Sequence, residues 1–425
     1  MDISPNFKQR EKHIEKGLHC RFCNAELSHV FLDLGMCPLS NSFLTLEQLK
    51  SVEPTYPLRT FVCNQCLLVQ LEGFGSPEHI FSNYPYFSSY SESWLRHAQE
   101  YVNMMIRRFG FDTNSQIIEI ASNDGYLLQY FKERNIPVLG IDPARNVAKM
   151  AEERGIKTIT KFFGTKTAKE LLLEDKQADL LIGNNVLAHV PNLNDFVAGM
   201  KILLKKRGII TMEFPHLLKL IEQNQFDTVY HEHFSYFSLF TAQKIFSYHN
   251  LTIFDVDELP THGGSLRVFV KHEDNDDVST TQNVGILIDR EKQFGLADVS
   301  TYNKFAERVE QVKQHIKDFF NMTKKAGKSV VCYGAAAKGN TLLNYCGIGT
   351  DFVEYVADRS PYKQGLFLPG THIPIKSPEK IRETKPDYLV ILPWNLKDEI
   401  IEQMNYIRNW GGKFVVPIPD VKIYS

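Results

Sequence analysis

Four of the seven cysteines in this chain fall as two C-x2-C pairs, Cys20 with Cys23 and Cys63 with Cys66. Each pair can offer two thiolates to one tetrahedral ion, so the four together close a structural zinc site and leave no open position for a reacting ligand. The 39 residues between the pairs (positions 24 to 62) exceed the roughly 15 to 20 of a common zinc ribbon. They include strand-like HVFLDLG and TYPLRTFVC, so a long excursion fits. A segment this small has too thin a core to fold by burial alone, and metal binding supplies folding free energy. Four reduced structural thiols are the plainer alternative. An odd cysteine count without an export signal argues against a disulfide framework. Cys37 reads as a buried or partly exposed thiol, and Cys332, in an apolar strand, as core.

The 425 residues are too many for one hydrophobic core, and three units are expected. Forty-eight basic against 50 acidic side chains give a formal charge of −2, so no global field holds nucleic acid or an anionic membrane. An anionic ligand must therefore meet a local site. The first thirty residues contain no apolar core of a signal peptide, and no stretch approaches the roughly 20 apolar residues of a spanning helix. The expectation is a cytoplasmic monomer with neither a nucleic-acid nor a membrane partner.

A second unit opens at the aromatic, Ser-rich YPYFSSYSESW, followed by a helical pattern from Glu92 to Arg108. Then comes QIIEIASNDGYLLQYF: a buried strand over Ile117 to Ile120, a turn over Ser122 to Gly125 and a helix start. Such a unit offers a ligand backbone N–H groups and a helix N-terminus at a sheet edge. Glu119 and Asp124 would repel a pyrophosphate there but attract the cationic sulfonium and amino group of S-adenosylmethionine. The next strand, IPVLGID, ends at Asp142, before Pro143, where a carboxylate can accept from ribose hydroxyls. Phe162 or Phe163 could pack on adenine, although an aromatic pair at a strand end is more often core. ADLLIGNNVLAHV finishes in Asn184 and Asn185, with His189 just beyond; GIITMEFP adds a strand, and LTIFDVDELP with SLRVFVKHE closes a largely parallel sheet. These residues read as a class I methyltransferase core, with a flavin- or NAD-binding fold as the competitor.

The densest chemistry is in Tyr230-His231-Glu232-His233, preceded by Asp227 and followed by Tyr236. On a helix the two histidines would point apart, and on an extended segment they would share a face. They lack a third metal ligand at standard spacing. General acid–base work suits them: a histidine held by a carboxylate can take a carbon-bound proton next to a carbonyl. A solvated polar turn is the plainer alternative.

The region around residues 273 to 300, with HEDNDDVSTTQN at its start, reads as a loop or linker before a Lys- and Glu-rich helix. SVVCYGAAAKGNTLLNYCG repeats the pattern of strand, small-residue turn and helix, and Lys338 beside Gly339 suits a pyrophosphate. The turn's Ala336, Ala337 and Asn340 share that edge. A mere packing turn is the alternative. FVEYVAD, DYLVILPWN and KFVVPIP supply further buried parallel strands. Asp358, Arg359 and Lys363, with Gln364, would sit at the same edge and close over base or phosphate.

In order along the chain, the cysteine pairs, YPYFSSYSESW, EIASNDG, NNVLAHV, YHEHFSYF, THGGSLRV, GAAAKGNTLLN and ADRSPYKQGLFLPGTHIPI resemble the three-domain nucleotide-sugar C-methyltransferases. The resemblance runs the whole chain. It implies an α/β protein with a zinc-binding domain over 1–78, a central class I methyltransferase domain of Rossmann type over 79–285, and a second Rossmann-like domain holding the nucleotide sugar over 286–425. It further implies S-adenosylmethionine and structural zinc, with methyl transfer to C3, in some members C5, of a dTDP- or GDP-linked 4-keto-6-deoxysugar. By the same resemblance His233 is the base, Glu232 orients the sugar or the base, and Tyr230 donates to the C4 oxygen. Tyr84, with Tyr86 as competitor, approaches the sugar, and His189 touches the C3 substituent; His189 and His233 could exchange roles. Ala121 and Asn123 stand where glycine is usual in a methyltransferase cofactor turn, a departure the family itself shares. An NAD-dependent sugar-nucleotide dehydrogenase or epimerase with a zinc module is the rival; it lacks support from a YxxxK pair or a GxGxxG turn. A non-enzymatic zinc-knuckle module would leave the histidine cluster without a purpose.

Overall fold

Runs of β-branched and aromatic residues favour the pleated, buried environment of a sheet, and in the computed structural model, which describes residues 17–72 and 88–425, they gather into three. Tyr84 and Tyr86 lie outside the described residues. In the first sheet β1 (His29–Cys37), β2 (Tyr56–Val62) and β3 (Val69–Leu71) run antiparallel. The fourth strand comes from far along the chain: Tyr236 pairs with Val69 and Ser235 with Gln70. The zinc unit is thereby joined to the residues that directly follow the histidine cluster.

The second sheet contains β4 (Ile117–Ile120), β5 (Val138–Ile141), β6 (Thr158–Ile159), β7 (Ala178–Asn184) and β8 (Leu204–Pro215). After the short β9 (Ser235–Tyr236) it is completed by β10 (Leu251–Leu259) and β11 (Ser265–His272). The order is β10-β11-β8-β7-β4-β5-β6. β6 through β8 are parallel, and β11 lies antiparallel between β8 and β10. The connections reverse direction at β4 and β7, and in open α/β sheets ligands bind outside the carboxyl ends at that point. The helix Glu92–Phe109 covers one face, with its start capped by Ser91 and its end closed by left-handed Gly110. Its buried Ala98, Tyr101, Val102 and Met105 recur at helical spacing and join the core around Ile117 and Phe269.

The third sheet is built from β12 (Val330–Tyr333), β13 (Val356–Ala357), β14 (Ile375–Lys376), β15 (Tyr388–Ile391), β16 (Lys413–Val416) and β17 (Lys422–Tyr424). It is parallel except for β17. The segment read as a loop over 273–300 is corrected: Gln282–Phe294 is a helix. Val284, Leu287 and Ile288 bury one face of it. Glu291 is wholly buried because His216 lies 2.7 Å away and the backbone N–H groups of Leu239 and Phe240 donate to it. A polar composition hid a stripe that only packing makes visible. The long helix Val299–Lys325 then lays Phe305 in a 4.9 Å stack on Phe31 of β1, so the first and third units share a core.

Between β10 and β11 the turn Thr261–Gly263 meets the third unit. A Cβ on Gly263 would come within 2.3 Å of the Trp394 ring, at a φ of +90° that L side chains rarely adopt. Gly263→Ala is expected to cost about 1–3 kcal/mol, read as a lowered urea midpoint; an unchanged midpoint would show that the joint yields freely. No helix among the described residues is long and apolar enough to cross a membrane.

Candidate active site

One cavity of about 860 Å³ runs from the carboxyl edge of the second sheet, past the histidine cluster, to the first turn of the helix Ala337–Cys346. At the sheet edge Ala121 and Asn123 take left-handed backbone angles, φ 56° and 50°. This is the conformation that usually selects glycine, and Asn tolerates it better than most residues. Asp142 braces the turn, accepting from the N–H of Asn123 at 2.9 Å and of Ala144 at 2.8 Å. Burial pushes its carboxyl up to about 6 against those hydrogen bonds.

Ala121, Asn123, Asp142, Pro143, Phe163, Asn184 and Asn185 reach the cavity wall, whereas Glu119, Asp124 and Gly125 lie off it. Asp124 is turned to the Ser89 hydroxyl at 2.5 Å and to Arg154 at 3.2 Å. It fastens the start of the second unit to the cofactor turn. Phe163 packs edge-on against Phe196.

The histidine cluster forms a turn rather than a helix or strand, so its side chains diverge. His231 lies 3.3 Å from the carbonyl of Pro57 in the zinc unit. His233 turns the other way, with Nδ1 2.9 Å from the Thr228 carbonyl and Nε2 2.7 Å from the Tyr230 hydroxyl. Since a carbonyl only accepts, Nδ1 carries the proton and Nε2 accepts from Tyr230. Burial, then the neighbouring His189 and Lys338, hold His233 well below the ordinary imidazole value, so it is neutral. His189 faces it with ring centroids 4.8 Å apart, and burial pulls His189 down to about 4. Tyr230, Glu232 and His189 line the cavity, with His233 one layer behind Tyr230. Asn41, from the zinc unit, donates to Glu232 at 2.5 Å.

From the third unit Ala336, Ala337, Lys338 and Lys363 line the same cavity. Lys338 donates to the His262 carbonyl at 3.2 Å and to Asn395 at 3.4 Å, and sits 4.6 Å over the Trp394 ring. Burial lowers it to about 8, with Asp227 opposing the shift. Four residues expected to meet a ligand at this edge do not line the cavity. Gly339 abuts Leu392, Asn340 donates to the Ser40 carbonyl, Asp358 accepts from the N–H of Ala335 and Ser360, and exposed Arg359 points to Gln403. Asn41, Trp94, His97, His262 and Asn395 reach the wall without having been singled out. For His262 the signal was present in THGGSLRV.

Three family models match the chain in sequence: a zinc binding domain over residues 20–81, a methyltransferase domain over 94–256, and a C-methyltransferase C-terminal domain over 260–419. C-methyltransferase NovU of Streptomyces niveus is 35% identical over 406 residues, covering 96% of each chain. The chain belongs to the C-methyltransferase family. Among solved structures, the PH0226 protein of Pyrococcus horikoshii OT3 is 15% identical with a TM-score of 0.37, over 47% of this chain and all (100%) of that one. Magnesium protoporphyrin IX methyltransferase from Synechocystis PCC 6803 is 12% identical with a TM-score of 0.32, over 42% and 79%. Likeness this slight carries no argument.

This C-methyltransferase uses S-adenosylmethionine and zinc, and its residues fit both. The Sγ atoms of Cys20, Cys23, Cys63 and Cys66 all lie within 4.8 Å of one another, compatible with the roughly 2.3 Å Zn–S bonds of a tetrahedral site. At the sheet edge the buried Glu119 carboxylate and Asn184 amide have the Tyr126 hydroxyl beside them and no other well-formed hydrogen bond. A buried carboxylate left this way suits a cation. Burial, then Asp142 and Asp124, raise Glu119 well above the ordinary carboxylate range, which favours its protonated form. A cofactor cation bound at this edge would favour the carboxylate and release a proton held there. Affinity for S-adenosylmethionine is therefore expected to tighten as pH rises, by up to about tenfold per unit. Titration calorimetry in buffers of different ionisation enthalpy counts the proton, and Glu119→Gln should abolish the count.

Proposed function

We propose that this enzyme methylates C3 of a dTDP- or GDP-linked 4-keto-6-deoxysugar through an enolate. The observation that carries the reading is the single cavity, which brings together the cofactor edge, the histidine cluster and Lys338 of the third unit. The domain limits 1–78, 79–285 and 286–425 belong to the same proposal, with the sugar nucleotide spanning the last two.

A ketone at C4 acidifies the hydrogen on C3. Tyr230 takes that proton while passing its own to Nε2 of His233, the base, whose Nδ1–H is fixed on Thr228. The neutral state of His233 is the one a base requires. Glu232, held by Asn41, orients the sugar, and His189 meets the substituent on C3. Ala121, Asn123, Asp142, Pro143, Phe163, Asn184 and Asn185 would hold S-adenosylmethionine, with Glu119 beneath them and Asp124 and Gly125 shaping the turn. When bound, that cofactor supplies the electrophilic methyl group. Ala336, Ala337, Lys338 and Lys363 would meet the diphosphate, with Gly339, Asn340, Asp358 and Arg359 supporting that edge.

Incubation with methyl-labelled S-adenosylmethionine and dTDP- or GDP-4-keto-6-deoxysugars tests the reading. Label on C3, located by carbon NMR, is expected. Label on C5 would move the reaction to the other side of the ketone, and NAD(H) turnover without label would replace the reading with a dehydrogenase.

A further inference from the structure

The turn THGG joins the second and third units, and its histidine is held from three directions. Its backbone is left-handed at φ 56°, ψ 18°, an arrangement that bulky residues avoid. The Asn185 amide nitrogen lies 3.1 Å from His262 Nε2, and the Trp94 ring meets the imidazole edge-on at 5.3 Å. Its own carbonyl accepts from Lys338. An amide nitrogen only donates, so Nε2 accepts and the ring proton is on Nδ1. Strain of this kind persists where surrounding structure imposes it, and it clusters at functional sites.

The expected ketone donor, Tyr230, has its proton on His233 Nε2. The carbonyl oxygen therefore needs another donor in the same cavity. We propose that His262 is a further catalytic residue, a neutral imidazole whose Nδ1–H donates to the ketone oxygen as it becomes an enolate. This rests on the reading of the substrate as a ketone. As the C3–H bond breaks, its electron pair forms the C3–C4 double bond and the carbonyl π pair moves onto oxygen, where the imidazole N–H meets it. The proton from carbon goes to the Tyr230–His233 pair, and His262 keeps its own. Burial brings His262 down to about 4, aided by the Lys338 charge, so the ring is a neutral donor rather than a cation. Lys338 fixes the turn from the third unit.

His262→Asn and His262→Gly test the role, since both residues accept the left-handed backbone. Two rates are measured in each variant: methyl transfer, and exchange of the C3 hydrogen for deuterium in D2O with S-adenosylhomocysteine bound. Both are expected to fall about 100-fold, as when an oxyanion donor is removed, while affinity for S-adenosylmethionine stays within about twofold. Exchange close to wild type in either folded variant overturns the assignment, whether or not methyl transfer slows. Calorimetric binding of S-adenosylmethionine certifies that each variant is folded, and if one fails the other decides. A wild-type enzyme that neither exchanges nor methylates any 4-keto sugar nucleotide removes the substrate reading and this inference with it.

Discussion

His233→Ala is expected to lower methyl transfer by about 10³-fold, in the range lost when a general base is removed, with S-adenosylmethionine affinity within about twofold of wild type. The geometry separates the two effects. His233 is a layer behind the cavity wall, while the edge proposed for the cofactor is lined by residues around 121–123, 142–143 and 184–185. Loss of the ring leaves the Tyr230 hydroxyl without its acceptor and the Thr228 carbonyl without its donor, at a cost of about 1–3 kcal/mol. Steady-state kinetics with calorimetric binding checks both parts. Retained turnover would transfer the role to His189 or Tyr84. The pH profile carries a sign as well. With His233 held well below the ordinary imidazole value, the proposed base is in its active form at neutral pH. Its contribution should decline only in acid, as the ring gains a proton.

Zinc removal is expected to be as damaging by a different route. Cys63→Ser should abolish stoichiometric zinc, lower stability by on the order of 5 kcal/mol, well within what structural zinc supplies, and lower Tm by about 10 °C. Methyl transfer should be lost with it, although no cysteine of the cluster lines the cavity. The zinc unit pairs β3 with Ser235 and Tyr236, just beyond His233, and sends Asn41 to Glu232. It also contributes the Pro57 carbonyl that meets His231. A metal-free protein with native turnover would show that the histidine turn stands without this support.

Much of the fold was legible because its signals are local. The strand Ile117–Ile120 has the bounds read from its β-branched residues, and the first helix ends at Phe109, one residue beyond the reading and just before left-handed Gly110. The helix Gln282–Phe294 was hidden because it follows directly on the polar run HEDNDDVSTTQN and its short apolar face acquires meaning only against the second sheet. At the site, the turn over 121–125 was readable from its strand and small residues. The bracing of Asp124 and Asp358 was not, since a carboxylate at a sheet edge looks alike in sequence whether it meets a ligand or backbone N–H groups.

By itself the amino-acid order determined the two cysteine pairs, the largely parallel character of the second and third sheets and the chemistry available in each motif, because these depend on residues a few positions apart. Tertiary structure decided which motifs share a cavity. Asn41 reaches Glu232 across 191 positions, Trp94 reaches His262, and Lys338 reaches the His262 carbonyl across 76. Those encounters follow from how three sheets pack and where the turn at 230–234 breaks. Such long-range packing depends on the whole burial pattern at once, and no single motif records it.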